Sequence, residues 1–124
     1  MKGRIILRKQ EADEDSMLEE LCKDLGIVSG RDTDKTIVRV FKVVIQQRTV
    51  GGTDVEKAAG MNRITAIHHL NKLQDVGIVE KKDNKYLLRG SDLPGLITAL
   101  QKQQMQHFQR MRKMIEVMEK DFYE

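Results

Sequence analysis

The segment from residue 62 to residue 72 is dense in side chains that can hydrogen-bond to nucleic-acid bases and phosphates. On a helix, Arg63, His68 and Asn71 are expected to share an exposed face. An arginine guanidinium matches O6 and N7 of guanine, and an asparagine carboxamide matches N6 and N7 of adenine, so these side chains suit base edges. Thr65 and Lys72 suit phosphates. The candidate contact residues in this segment are Asn62, Arg63, Thr65, His68, His69, Asn71 and Lys72.

A second polar cluster, from residue 81 to residue 89, is predominantly basic. Its cations flank Asn84, where the sequence indicates a turn between two short strands. Such a hairpin would bring positive charge to a sugar–phosphate backbone or a minor groove beside the helix. The candidate contact residues in this cluster are Lys81, Lys82, Asn84, Lys85 and Arg89.

Positive charge is concentrated in the middle of the 124-residue chain. Residues 31–90 hold 12 basic and 7 acidic side chains, whereas residues 1–30 hold 5 and 7, and residues 91–124 hold 5 and 5. A basic segment between acidic and neutral flanks is expected where one face meets a polyanion, although a lysine-rich surface can also serve solubility alone. Charge by itself therefore leaves both interpretations open.

Three closely spaced helices are predicted to position the two clusters, and the first of them is amphipathic. Apolar residues recur at three- and four-residue steps from Ile37 to Ile45, which predicts a helix that ends near Arg48. The glycines that follow break this pattern, so residues 49–52 are predicted to be a linker.

The second and third helices carry their own start and stop signals. Thr53 followed by Glu56 predicts a capping box at the start of a short second helix. Asn62 is a favourable cap for a third helix over residues 63–75, and Gly77 supplies the left-handed residue that ends it. These boundaries place the first polar cluster on the third helix.

A hairpin is predicted after the third helix, and a long helix after the hairpin. Residues 78–82 and 86–89 have strand-like patterns around a polar turn at 83–85. The predicted fold class is therefore mainly α with a small β-hairpin, in a winged helix-turn-helix arrangement over residues 31–90. Residues 1–30 are predicted to be an N-terminal arm with a short helix, and residues 91–124 a long C-terminal helix.

The sequence from Ala59 to Val79 resembles the region around the DNA-contacting helix of the ArsR family of bacterial and archaeal repressors, and more loosely the MarR family. The resemblance covers roughly residues 53–90, and its most telling parts are Thr65, His68-His69-Leu70, Leu73 and Gly77-Ile78-Val79. It implies a homodimeric transcriptional regulator that binds double-stranded DNA through a winged helix-turn-helix. The paired metal-sensing cysteines of ArsR repressors are missing, since Cys22 is the single cysteine of the chain.

Two apolar residues depart from the family pattern and keep other functions open. Ile67 occupies a place where these families often have a small polar residue, and Ile64 lies beside it. They suit contacts with thymine methyl groups, or with another protein if the helix is rotated. The alternatives to a sequence-specific regulator are thus an architectural DNA-binding protein of low specificity and a winged-helix module for protein–protein contacts.

The long C-terminal helix is predicted to form a coiled-coil-like homodimer. The segment from Leu93 to Phe122 is about thirty residues long and contains no further helix breaker. As a helix it would be roughly 45 Å long, which exceeds the width of a domain of about sixty residues. The alternative is that this helix folds back on its own domain. The predicted dimer residues, at a, d and e positions, are Leu93, Ile97, Leu100, Gln104, His107, Phe108, Met111, Met114, Ile115, Met118 and Phe122.

The N-terminal arm has one helix signal of its own. Ser16 and Glu19 predict a second capping box, and Gly26 is predicted to end the helix. Cys22, within this helix, is predicted to be a small buried apolar residue and not a metal ligand.

Several functional classes are excluded by the sequence. No catalytic constellation, phosphate-binding loop or dinucleotide fingerprint can be assembled, so we expect neither an enzyme nor a cofactor. The adjacent histidines His68 and His69 diverge by about 100° on a helix, so we expect no metal site. No apolar run is long enough to cross a bilayer, and we expect a cytoplasmic protein with no membrane partner. The sequence does not determine whether a small-molecule effector binds.

Overall fold

The computed structural model describes residues 14–28 and 35–123, beginning with helix α1 at residues 14–24. The predicted N-terminal helix is therefore confirmed, whereas residues 1–13 of the predicted arm lie outside the described residues. Ser16 lies within the helix, so the predicted capping box is wrong. Gly26 follows the helix with a φ of 77° and ends it, as predicted. Cys22 is buried, also as predicted, and burial together with the Glu19 carboxylate raises the pKa of its thiol to about 11.

Helix α2 (Thr36–Gln47) forms because its apolar residues fall on one side. Ile37, Phe41 and Val44 are buried along this side. Two lysines reach α1: Lys42 Nζ lies 3.2 Å from Asp15, and Lys35 Nζ lies 3.5 Å from Glu19. Both ion pairs are exposed and add at most about 1 kcal/mol each. Their order along the chain shows that α1 and α2 run antiparallel to each other.

The predicted linker after α2 contains a short strand, β1 (Thr49–Val50). Arg48 adopts a φ of 67°, which turns the chain sharply out of α2, and its carbonyl accepts a hydrogen bond from the Leu88 amide at 2.8 Å. A sharp turn at a non-glycine residue gives no sequence signal, and a two-residue strand is too short for a pattern. The helix breaks where predicted, but the predicted linker over residues 49–52 is wrong in extent, because Thr49–Val50 form a strand and Gly52 begins the next helix.

Helices α3 (Gly52–Ala59) and α4 (Arg63–Asp75) are joined by a three-residue turn. Gly60 occupies the left-handed region there, with a φ of 66°, which favours glycine. The predicted bounds of α4 are confirmed. The predicted start of α3 is wrong: Asp54, not Glu56, accepts a hydrogen bond from the residue that precedes the helix, at 2.7 Å from the Gly51 nitrogen.

Strands β2 (Val79–Lys82) and β3 (Lys85–Leu88) form the predicted hairpin. Its turn is one residue shorter than predicted, because only Asp83 and Asn84 lie outside the strands. Both adopt positive φ, 52° and 63°, as in the turns that match the twist of a two-stranded ribbon. The sheet is antiparallel in the order β1-β3-β2, so β3 is its central strand.

The core of residues up to Leu88 is aliphatic, apart from one phenylalanine and one tyrosine. Each of α2, α3 and α4 contacts the other two, and α4 also contacts β2. The buried apolar side chains are Cys22, Ile27, Val28, Ile37, Val40, Phe41, Val43, Val44, Val50, Val55, Ala66, Leu70, Leu73, Ile78, Val79, Tyr86 and Leu88.

A second compact unit begins at Arg89 and consists mainly of helix α5 (Leu93–Tyr123). Its 31 residues confirm the predicted long helix and give a length of roughly 46 Å. The Asp92 carboxylate accepts a hydrogen bond from the Gly95 amide at 2.7 Å and caps the first turn. Among the described helices, none combines the length and the apolarity that crossing a membrane requires.

Candidate nucleic-acid interface

The first turn of α4 is held by Asn62, whose Oδ1 accepts a hydrogen bond from the Thr65 amide at 2.9 Å. The Asn62 carboxamide, predicted from the sequence to contact nucleic acid, therefore uses its oxygen to cap the helix. Its NH₂ group is not part of that hydrogen bond. Arg63, the next residue, is exposed. The start of α4 therefore combines a cap and an exposed guanidinium at the positive end of the helix dipole.

The polar residues of α4 differ in exposure, and not all of them lie on the exposed side as predicted. Arg63, His68 and Asn71 are exposed, whereas Thr65 and Lys72 are half-buried. His69 is only 8% exposed, so its predicted place on the exposed face is wrong. Positions 66, 69, 70 and 73 form one side of a helix, and His69 therefore turns inward with the buried apolar residues of α4.

Asn71 links α4 to the hairpin. Its Oδ1 accepts a hydrogen bond from the Tyr86 hydroxyl at 2.6 Å, and Tyr86 is otherwise buried in the central strand. The carboxamide oxygen that would accept from adenine N6 is thus bonded within the protein. This bond gives Asn71 a positioning role, because it fixes the hairpin beside α4.

The hairpin carries three exposed lysines with different surroundings. Lys81 Nζ lies 5.6 Å above the centre of the Tyr86 ring, in a cation–π contact. Lys85 Nζ lies 3.4 Å from the Asp54 carboxylate. Lys82 faces Lys85 directly across the hairpin, which places two positive charges next to the turn.

A shallow depression brings the two polar clusters together. Arg63 at the start of α4 and Lys81 on β2 both line it. Gly52 lines it without a side chain, and a Cβ there would lie 2.8 Å from Cγ1 of Ile67, so that Ile67 would have to shift. The lining residues are Gly52, Arg63, Ile67, Lys81, Asn84 and Tyr86. The sequence does not mark Gly52 and Tyr86 as part of the site, because neither belongs to a polar pattern.

Arg89 lies outside the hairpin strands, because β3 ends at Leu88, one residue before the predicted end. It begins the second unit, where its Nη1 donates to Oε1 of Gln103 on α5 at 2.7 Å. Its predicted place on the hairpin is therefore wrong. A long side chain just beyond a strand can bond to whatever element comes next in the chain.

The Asp54 carboxylate, on α3, accepts hydrogen bonds from the Gly51 amide at 2.7 Å and from Lys85 Nζ at 3.4 Å. The Gly51 amide, followed by the Lys85 ammonium, lowers the pKa of the Asp54 carboxyl below its ordinary value. A depressed pKa in the folded state means that ionised Asp54 stabilises the fold above its unfolded pKa, and that this stability is lost as the pH falls through the folded pKa.

We expect Asp54→Asn to lower the melting temperature at pH 7. The difference from the unmodified chain should begin to shrink near pH 4, the ordinary pKa of an aspartate in the unfolded chain, and should vanish as the pH falls through the lowered pKa of the folded state. Thermal unfolding followed by circular dichroism across a range of pH from about 2.5 to 7 measures this. Glu56→Gln, two residues away on α3, is the matched control. A deficit for Asp54→Asn that stays constant down to the lowest pH would contradict the role of its charge.

The α5 residues predicted to mediate dimerisation lie mostly at the surface of the single chain. Phe108, Met114, Ile115, Met118 and Phe122 are each at least 49% exposed. Gln104 and His107 are exposed, whereas Leu93, Leu100 and Met111 are half-buried and Ile97 is 47% exposed. The prediction omits three further exposed apolar residues of this helix: Met105, Val117 and Tyr123.

Within residues 14–28 and 35–123, no three His, Cys, Asp or Glu side chains come together as metal ligands would. No family model, no curated protein and no solved structure matches the chain. A guanidinium, one lysine ammonium and a carboxamide line one depression, an arrangement that can donate hydrogen bonds and positive charge.

Proposed function

We propose that the chain is a cytoplasmic, homodimeric transcriptional regulator that binds double-stranded DNA sequence-specifically, and that it is not an enzyme. In this proposal α3 and α4 form the helix-turn-helix, α4 enters the major groove, and the β2–β3 hairpin is the wing that follows the backbone or minor groove. The resemblance to ArsR repressors supports the same function.

The observation that carries the proposal is the shared depression of Arg63, Lys81 and Asn84. It places a side chain suited to guanine on α4 next to hairpin groups suited to phosphate. A major groove is about 12 Å wide and admits a helix, and its walls are lined by phosphates. A helix and a cationic hairpin side by side can therefore contact a groove floor and its wall together.

The lysine pair at the hairpin turn supports a polyanionic partner. Like charges directly opposite each other weaken a two-stranded pair by a few tenths of a kcal/mol. Lys82 and Lys85 nevertheless face each other, and Asp54 lies within ion-pair distance of Lys85. Binding to a phosphate would remove this repulsion, so the pair favours binding of nucleic acid over a purely solvating role.

Selection of binding sites from random duplex DNA is the experiment that tests the function. A sequence-specific dimer should enrich an inverted repeat, with a preference of about 10³ or more over random duplex. Binding without enrichment would indicate the architectural alternative. Absence of DNA binding would overturn the proposal and favour protein contacts, for which Ile64 on α4, at 80% exposed, is the specific observation.

Arg63 and Lys82 are expected to differ in what they contribute to binding. Arg63→Ala should reduce discrimination at one base pair by roughly 1–3 kcal/mol, because it removes a guanidinium that reads a base edge. Lys82→Ala should weaken specific and random duplexes alike, since a phosphate contact carries no sequence information. Competition titrations with single-base variants of the selected site measure both. Equal weakening on specific and random DNA for Arg63→Ala would refute its assignment.

A further inference from the structure

The second half of α5 carries apolar side chains that the single chain leaves in solvent. Of the three phenylalanines in the protein, Phe41 is in the core, while Phe108 and Phe122 are 51% and 74% exposed on α5. The exposed apolar residues of this stretch extend from Met105 to Tyr123, and its middle is Met114. Exposed apolar surface of this kind marks an interface.

The charges on the same stretch are segregated around its middle. Residues 110–113 contain three basic and no acidic side chains, namely Arg110, Arg112 and Lys113. Residues 116–121 contain three acidic side chains, Glu116, Glu119 and Asp121, and one basic side chain, Lys120. All of these residues are exposed. The boundary between the basic and acidic clusters coincides with the middle of the apolar stretch.

We infer that two copies of α5 pair antiparallel over residues 105–123, with the basic cluster (110–113) of each copy beside the acidic cluster (116–121) of the other. This inference rests on the homodimer in the proposed function and adds its geometry. Antiparallel pairing about Ile115, one residue from the middle, overlaps nearly the whole apolar stretch with itself. The charges that flank the apolar seam then meet their opposites: Arg110 lies beside Asp121, and Arg112 beside Glu119, of the second copy.

A parallel pair in register has the opposite electrostatics. In that arrangement the basic clusters of the two helices would lie side by side, and so would the two acidic clusters. Like charges at helix–helix contacts disfavour a pairing. The apolar contacts are similar in the two arrangements, so the charges decide the orientation. The antiparallel pair places the two Leu93 residues at opposite ends of the paired helices, roughly 60 Å apart at 1.5 Å rise per residue.

Disulfide trapping distinguishes the two orientations. Phe108 and Phe122 lie seven residues on either side of Ile115. In the antiparallel pair Phe108 of one copy lies near Phe122 of the other, whereas two copies of Phe108 are roughly 20 Å apart, beyond the Cα separation of about 4.4–6.8 Å that a disulfide spans. Mixed Phe108→Cys and Phe122→Cys chains should therefore cross-link under mild oxidation, while each variant alone should not. The buried Cys22 stays in place, and the unmodified chain is the control for its contribution.

Charge reversal tests the cause of the orientation. Arg110→Glu, Arg112→Glu and Lys113→Glu together should weaken the dimer by about 30-fold at low salt, because each of several exposed pairs changes from attraction to repulsion. Glu116→Lys, Glu119→Lys and Asp121→Lys together should have the same effect. The six substitutions combined should restore the dimer to within about threefold, since complementarity returns. Sedimentation equilibrium without DNA measures the dimer constant, and circular dichroism verifies that the helix is retained.

The outcomes separate this inference from the proposed function. Cross-linking of Phe108→Cys to itself, with charge reversals that leave the dimer unchanged, would overturn the antiparallel pairing and leave the dimer standing. A monomeric unmodified chain would overturn both the dimer and its orientation, while binding to selected DNA sites would still test the DNA-binding surface independently.

Discussion

DNA binding by this chain is expected to weaken by roughly 10³- to 10⁵-fold when the salt concentration rises from about 50 to about 200 mM. This range follows if the proposed dimer, with the cationic surface around Arg63 and Lys81 present twice, engages about six to ten phosphates. Each contact releases condensed counterions, and the gain in entropy falls as salt is added. Fluorescence anisotropy of a labelled duplex, titrated at several salt concentrations, gives the slope of log affinity against log salt.

The slope is also expected to depend on which lysine is removed. Lys82→Ala should reduce its magnitude by about one unit in each half of the dimer, because one ammonium there no longer neutralises a phosphate. Lys23→Ala is the matched control, because Lys23 is exposed on α1, where it lies 3.7 Å from Glu20, and belongs to neither polar cluster. Affinity that is insensitive to salt would show that phosphates are not the partner and would favour the protein-binding alternative.

Ile115→Asp should convert the dimer into a monomer at micromolar concentration, with a dimer dissociation constant at least about 100-fold higher. Ile115 is 54% exposed in the single chain and lies one residue from the middle of the apolar stretch of α5. Pairing would bury the new carboxylate without a partner in both copies, and the cost of such burial is several kcal/mol. Light scattering and sedimentation equilibrium measure the change.

The same substitution is expected to weaken binding to a two-half-site operator by about 10²-fold or more, because the two DNA-binding units then act as separate molecules without a shared effective concentration. Gln109→Asp adds the same charge at an exposed polar position of α5 and should leave both the dimer and DNA affinity nearly unchanged. An Ile115→Asp chain that still dimerises as tightly as the unmodified one would exclude this stretch as the interface.

Local signals in the sequence are sufficient for the elements that carry the candidate site. The cap Asn62 and the stop Gly77 define α4, because the hydrogen bonds that start and end a helix lie within a few residues of each other. The hairpin turn at Asp83 and Asn84 and the unbroken α5 are similarly local. The predicted DNA-binding roles of the exposed α4 and hairpin residues remain predictions.

Sequence patterns mislead where an interaction joins residues that are distant in the chain. They also mislead where the direction in which a side chain points matters more than its residue type. Strand β1 exists because Arg48 turns the chain toward Leu88, forty residues later. His69 has polar neighbours in sequence, although its angle on α4 turns it into the buried side. The charge of Arg89 resembles that of the hairpin lysines, although its guanidinium bonds to Gln103 on α5.

The amino-acid sequence alone determined which segments are helical and where most of the helices start and stop, because periodicity, caps and glycines act over a few residues. It also determined that positive charge and a long apolar stripe occupy separate parts of the chain. Only the tertiary structure decided that Arg63, Lys81 and Asn84 surround one depression, and that Asn71 is bonded to Tyr86 and so positions the hairpin. These groups are up to 23 residues apart in sequence, and packing of α4 against the sheet is the physical cause that brings them together.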